Sequence, residues 1–132
     1  MIFPWRSGNR FELLLDGPQF FPRMLAAIAG AQRQVELELY LLTAGDCATQ
    51  LVERLCQAAL RGVQVRCLLD GFGSLGLPSV QRAQLLGAGV QLRLYNPLGW
   101  RRGLRNLYRD HRKLLLVDGE LAFVGGTGAT DD

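Results

Sequence analysis

The chain has one histidine and one lysine, and they stand two positions apart in His111-Arg112-Lys113, although fourteen of its fifteen basic residues are arginine. On an extended strand residues i and i+2 share a face, so the imidazole and the ammonium project together while Arg112 points away. An imidazole can attack phosphorus or carry a proton near neutral pH, and an ammonium beside it neutralises phosphate oxygens and the charge that develops on them. The same pair also fits a solvated strand face.

Downstream, the apolar runs 111–117 and 120–124 are joined by Asp118-Gly119, the composition of a tight hairpin turn. Such a hairpin returns Gly125, Gly126 and Thr127 towards the strand of His111. Glycine lets a bulky anion approach the backbone, while amides and a hydroxyl donate to it. Asp118 lies on the opposite strand parity from His111, at the turn. A corner residue and an organiser of the site are both open for it.

These residues carry a resemblance. H-x-K-x4-D and, after six residues, G-[GS] is the motif of the phospholipase D superfamily, and His111, Lys113, Asp118, Gly125 and Gly126 fall on that register. The segments VELELY (35–40), LLDGFGS (68–74), LGAGV (86–90), YNP (95–97) and RDHRKLLLVDGELAFVGG (109–126) further resemble consecutive blocks of the bacterial cardiolipin synthases, from Phe11 to the end of the chain. The resemblance implies phosphatidyl transfer between phosphatidylglycerol molecules through a phosphohistidine, with no metal or other cofactor. His111 is then the nucleophile or the partner acid, Lys113 a phosphate clamp, Asp118 the third motif residue of the catalytic set, and Gly125, Gly126 and Thr127 the phosphate cradle. Glu38 matches a recurrent acid of the family.

Two departures from the family pattern matter. Gly128 stands where the family usually has asparagine, removing one donor to phosphate. The family's site also uses two facing motifs, one histidine attacking and the other protonating the leaving alcohol, so one histidine is half a site. The implied fold is an α/β phospholipase D-like half-domain: a mostly parallel mixed sheet flanked by helices, ending in the β-hairpin that carries H-x-K. Residues 1–132 are expected to form that single half-domain, with a leader at 1–10, and the chain to continue past Asp132. The second half comes from the same longer chain or from a homodimer. The expected partner is an anionic phospholipid, at the inner face of a bacterial cell membrane and peripheral to it. Two alternatives stand: a homodimeric phosphodiesterase acting on nucleic acid, and an inactive half that binds anionic lipid or a partner chain.

Other signals exclude more than they add. Gly71, Gly73 and Gly76 spell GxGxxG after a strand, but a dinucleotide site also wants a carboxylate about 20 residues on, and no acid occurs from Val90 through Arg109. A nucleophile elbow around Ser74 fails because Phe72 replaces its first glycine. Cys47, Cys56 and Cys67 match neither a disulfide framework nor a zinc spacing, and one histidine cannot build a multi-histidine metal site.

The elements that position the motif follow from periodicity. With 132 residues, 48% hydrophobic and 20% charged, the chain has enough apolar material for one core. Residues 11–15 read as a strand, and Asp16 caps a helix with Phe21, Met24, Leu25 and Ile28 on one face. Strand 34–42, a helix capped by Asp46 with Leu51, Val52, Leu55 and Ala59 inward, strand 63–69, helix 78–86 and strand 90–95 follow. This alternation predicts a largely parallel sheet. Residues 101–113 then hold six basic side chains against one acid, a net of +5 in a chain of +3. If residues 100–109 are helical, Trp100, Leu104, Leu107 and Tyr108 share one face and Arg101, Arg105 and Arg109 another. That pattern suits a membrane interface, with Arg101, Arg102, Arg105 and Arg109 meeting anionic headgroups. A solvated basic loop with its aromatics on the core fits equally, as does a nucleic-acid track. Phe3 and Trp5 in the leader suit a membrane interface or packing against further chain.

Overall fold

The computed structural model describes residues 4–126 and 128–131. Helix α1 (Gly17–Gly30) is followed by strand β1 (Gln34–Leu39), α2 (Asp46–Leu60), β2 (Gln64–Asp70), α3 (Ser79–Gly87) and β3 (Gln91–Tyr95). A 3₁₀ segment (Trp100–Leu107) then leads to the hairpin of β4 (Lys113–Val117) and β5 (Leu121–Val124). The sheet order is β3-β2-β1-β4-β5. β1, β2 and β3 run parallel, whereas β4 is antiparallel to β1 and β5 to β4. The parallel part arises because α2 and α3 each carry the chain back to the start of the next strand.

Alternation along the strands decides which face is buried. Val35, Leu37 and Leu39 of β1, Val65, Cys67 and Leu69 of β2, and Leu115 and Val117 of β4 are all nearly inaccessible. They meet Met24, Leu25 and Ile28 of α1 and Leu51, Val52 and Leu55 of α2 in one core. Truncating one of these leucines to alanine typically costs about 2–5 kcal/mol. The opposite face is mixed, with the Arg66–Glu36 ion pair at 2.8 Å across β2 and β1.

Four local expectations are corrected. Residues 11–15 form no strand: Phe11, Leu13 and Leu15 stay largely exposed, and no ladder reaches them. An apolar run makes a strand only where a neighbour takes its backbone groups. Asp46 does not cap α2 but opens it. The N–H groups of Asp46 and Cys47 donate to the two carboxylate oxygens of Asp131, at 2.7 and 2.8 Å, and Gly45 is the cap residue. The stretch from Trp100 is no amphipathic α-helix, because Gly103 (φ 48°, ψ −128°) breaks it into two 3₁₀ turns. β4 begins at Lys113, so His111 precedes the strand. Elsewhere the expected local structure forms: Asp16 caps α1 by accepting the Gln19 N–H at 3.1 Å, and Asp118 and Gly119, both at positive φ, turn the hairpin.

Candidate active site

The motif lies at the end of the sheet where the parallel strands finish. β2 ends in Asp70, whose side chain reaches no solvent. Its Oδ1 accepts the N–H groups of Phe72 and Gly73 at 2.9 and 3.0 Å and the Arg109 guanidinium at 3.3 Å. Its Oδ2 accepts the N–H of Asp110 at 2.9 Å. Burial pushes the Asp70 carboxyl up, but the Gly73, Asp110 and Phe72 amides and Arg109 outweigh it and hold it below its ordinary range. Asp70 therefore grips the two residues before His111. Arg109 adds bonds to the carbonyls of Asn96 and Asn106.

The imidazole of His111 stacks on the Tyr40 ring, with centroids 4.1 Å apart and planes 16° apart. The Lys113 ammonium lies 5.7 Å from the same ring and donates to the His111 carbonyl at 3.1 Å. The two motif side chains are thus gathered around Tyr40, although His111 lies outside the strand that their i, i+2 spacing assumed. Tyr40 is itself pressed against the loop after β2, since a Cβ on Gly73 would collide with the Tyr40 carbonyl. Gly71 packs in the same way on Pro97, and Gly76 on Thr43. The glycines that imitate a nucleotide turn each have a packing neighbour. Arg112 leaves the motif and meets Glu38 at 3.5 Å, which gives that acid an ionic partner beside the site.

The Lys113 carbonyl accepts the Gly125 N–H at 3.2 Å, so the glycine turn adjoins the lysine. A Cβ on Gly125 or Gly126 would meet nothing, leaving backbone open to an approaching anion. Thr127 lies outside the described residues, as does Phe3. Gly128 is different: a Cβ there would sit 2.8 Å from Leu41 Cβ and 2.9 Å from the Leu41 carbonyl oxygen. The Ala129 N–H also donates to that carbonyl, at 3.1 Å. Glycine in place of the family's asparagine thus accompanies a close approach of this strap to the loop after β1.

Two hollows flank the motif. One, of 350 Å³, runs from Lys113, Gly125 and Gly126 to Phe20, Phe21 and Met24. The other, of 530 Å³, has His111, Arg109 and Tyr95 in its wall. The first hollow thus lies on the α1 side of the sheet beside Lys113, and the second beside His111.

Asp118 is not among these groups. It stands at the far end of β4, about 17 Å from Lys113 at roughly 3.3 Å per residue. Its carboxylate accepts the N–H groups of Gln32, Arg33 and Gln34 at 2.9, 2.7 and 2.9 Å. Those bonds, Gln34 first, hold its carboxyl below the ordinary range. It is the hairpin-corner residue. Arg109 likewise leaves the exposed basic set, because its side chain is 10% exposed and paired with Asp70. Sequence reasoning gave no role to Tyr40 or Asp70. An acid closing an apolar strand, just before a glycine-rich loop, is the signal that could have found the second. Cys67 is buried and its thiol is pushed up to about 12, so it is inert in the folded chain.

The fold and the gathered histidine and lysine define a phospholipase D-like half-domain. The family described as "Cardiolipin synthase, PLD-like domain" matches residues 24–132, and the chain belongs to it. Over 124 residues it is 43% identical to cardiolipin synthase B of Salmonella typhi and 40% identical to that of Escherichia coli K12. These alignments cover 92% of this chain and 30% of each relative. The chain thus spans under a third of the curated relatives it matches. Among solved structures, the phospholipase D family member Nuc from Salmonella typhimurium superposes with a TM-score of 0.61 at 22% identity, over 83% of this chain and 64% of Nuc. NucT from Helicobacter pylori gives 0.59 at 17%, over 83% and 66%. At such identities the likeness shows the fold.

Proposed function

We propose that this chain supplies one half of the active site of a phosphatidyltransferase that makes cardiolipin from phosphatidylglycerol. The observation that carries this is the continuity of Lys113 with His111 on one side and with Gly125 on the other. The site then offers a nucleophile, a cation and free backbone, with a hollow beside it lined in part by Phe20, Phe21 and Met24. The cardiolipin synthases among its relatives support the choice of substrate.

In this reading one histidine of a pair attacks the phosphatidyl phosphorus. A phosphorus–nitrogen bond forms as the bond to the glycerol oxygen breaks, and the other histidine gives that oxygen its proton. The glycerol hydroxyl of a second phosphatidylglycerol then attacks phosphorus, returns its proton to the second histidine and frees the first. His111 fills one of these places. Lys113 holds the phosphate oxygens, and the backbone at Gly125 and Gly126, with Thr127, cradles them. The other histidine comes from a second half, in a longer chain or a symmetric partner, and the enzyme works peripherally at the inner membrane face. No described helix is long and apolar enough to cross a membrane.

The test is to give the complete protein either phosphatidylglycerol vesicles or plasmid DNA, both with chelator present. Cardiolipin and glycerol as products, with intact plasmid, are expected. Nicked plasmid without lipid product would replace this reading with the nuclease, and neither product would leave an inactive half.

A further inference from the structure

Residues 98–108 project large apolar side chains into water just before the motif. Trp100 is fully exposed, at 105%, Leu104 is 82% and Leu107 74% exposed, and Leu98 and Tyr108 are also open. Arg101 and Arg105 are exposed among them, and no acid lies between Val90 and Arg109. The segment is nonetheless folded. Asn96 donates to the carbonyls of Arg105 and Tyr108, and the Asn106 side chain bonds both the N–H and the carbonyl of Gly99, at 3.2 and 3.0 Å. Gly103 turns the chain back at the tip. The result is a preformed knob whose neck is clamped by two asparagines.

We infer that this knob is a membrane-docking element: its leucines and Trp100 enter the interface of an anionic bilayer while Arg101 and Arg105 meet lipid phosphates. Charge complementarity to an anionic surface, together with the exposed leucines, selects this occupant, since amphipathic elements bind membranes by apolar burial together with basic attraction to anionic lipid. A nucleic-acid strand would use the arginines and aromatics but gives Leu98, Leu104 and Leu107 nothing to stack on. Because the knob is already ordered, insertion does not have to fix its backbone.

The docking also bears on the chemistry. The knob ends at Arg109, which Asp70 holds, and the next residue, Asp110, is bonded to the same carboxylate. One anchor thus fixes the knob and His111 relative to each other. A docked knob sets the position of the imidazole over the membrane surface. This consequence rests on the phospholipid reading above, whereas the docking does not.

The test uses the complete protein and phosphatidylcholine vesicles with or without phosphatidylglycerol. Replacing Arg101 and Arg105 together by glutamine is expected to weaken partition onto the anionic vesicles roughly 30-fold, at about fivefold per basic side chain. Replacing Trp100 and Leu104 by serine is expected to weaken it at least about tenfold. Arg54→Gln, on the exposed side of α2, serves as the charge control and leaves partition unchanged. Brominated lipid is expected to quench the emission assigned to Trp100 by difference from Trp100→Phe. Unaltered partition of both double variants, no quenching by brominated lipid, or knob-dependent binding of DNA instead of vesicles would each overturn the docking. Protection of Trp100 from iodide before lipid is added would also do so, because protein would then cover the knob. Knob-dependent vesicle binding without any phosphatidyl product would uphold the docking and defeat the transferase reading.

Discussion

Arg109 and Asp70 form an ion pair at 3.3 Å with both side chains withdrawn from solvent, 10% and 0% exposed, two residues before the histidine of the motif. Buried pairs rarely add much net stability, because desolvation consumes what the attraction returns. Their geometry is fixed, however, and Asp70 spends its second oxygen on the Asp110 amide. The end of β2 and the entry to β4 are therefore locked together at the site.

Asp70 is accordingly expected to act as a positioning residue. Asp70→Ala leaves the Arg109 charge buried alone and should cost about 3–5 kcal/mol, read by urea unfolding. Asp70→Asn keeps a side-chain acceptor and the shape. Its kcat should fall about tenfold while KM for phosphatidylglycerol stays within about twofold, the mark of a misplaced His111 and not of lost binding. Equal loss in both parameters would make the pair merely structural.

Tyr40 carries the imidazole on its ring. Stacked aromatic pairs contribute about 0.5–1.5 kcal/mol beyond buried area, so Tyr40→Ala should lower turnover roughly two- to tenfold through the orientation of His111. Tyr40→Phe keeps the ring and should restore most of it. Turnover in Tyr40→Phe as low as in Tyr40→Ala would assign the effect to the hydroxyl.

Acid should loosen the loops before it melts the core. Asp70, Asp118 and Asp131 each accept backbone N–H groups, and each folded carboxyl lies below its ordinary value. A depressed folded pKa stabilises the protein fully above the unfolded pKa, near 4, and that contribution fades as pH falls from there through the folded values. The Tm should hold steady from about pH 7 to 5 and decline below about pH 4. Asp118→Asn should lower the Tm at neutral pH and flatten that decline. A Tm unchanged down to about pH 3 would contradict the sign of these shifts.

The alternating helices and strands from Gly17 to Tyr95 were legible because hydrophobic period reports burial, and Leu37 or Leu55 is buried wherever the chain goes next. The positive-φ turn at Asp118 and Gly119 was legible for a local reason as well. What escaped depends on partners remote in sequence. Asp131 caps α2 from 85 positions away, and Asp70 meets Asp110 across 40. Residues 11–15 are an apolar run like that of a strand and lack a neighbour to pair with. The 3₁₀ segment has the spacing of a helix, and Gly103 overrides it. In the site, motif spacing brought His111, Lys113 and the two glycines together, but the same motif drew in Asp118, which the hairpin carries to the other end of β4.

The most direct measurement is cardiolipin formed from phosphatidylglycerol vesicles by the complete protein and by its His111→Ala variant, quantified by lipid mass spectrometry after equal folding is shown by circular dichroism. Phosphatidyl transfer through this half-site requires that the variant form no cardiolipin above the protein-free control. Cardiolipin formation by His111→Ala at a rate near that of the parent would contradict it.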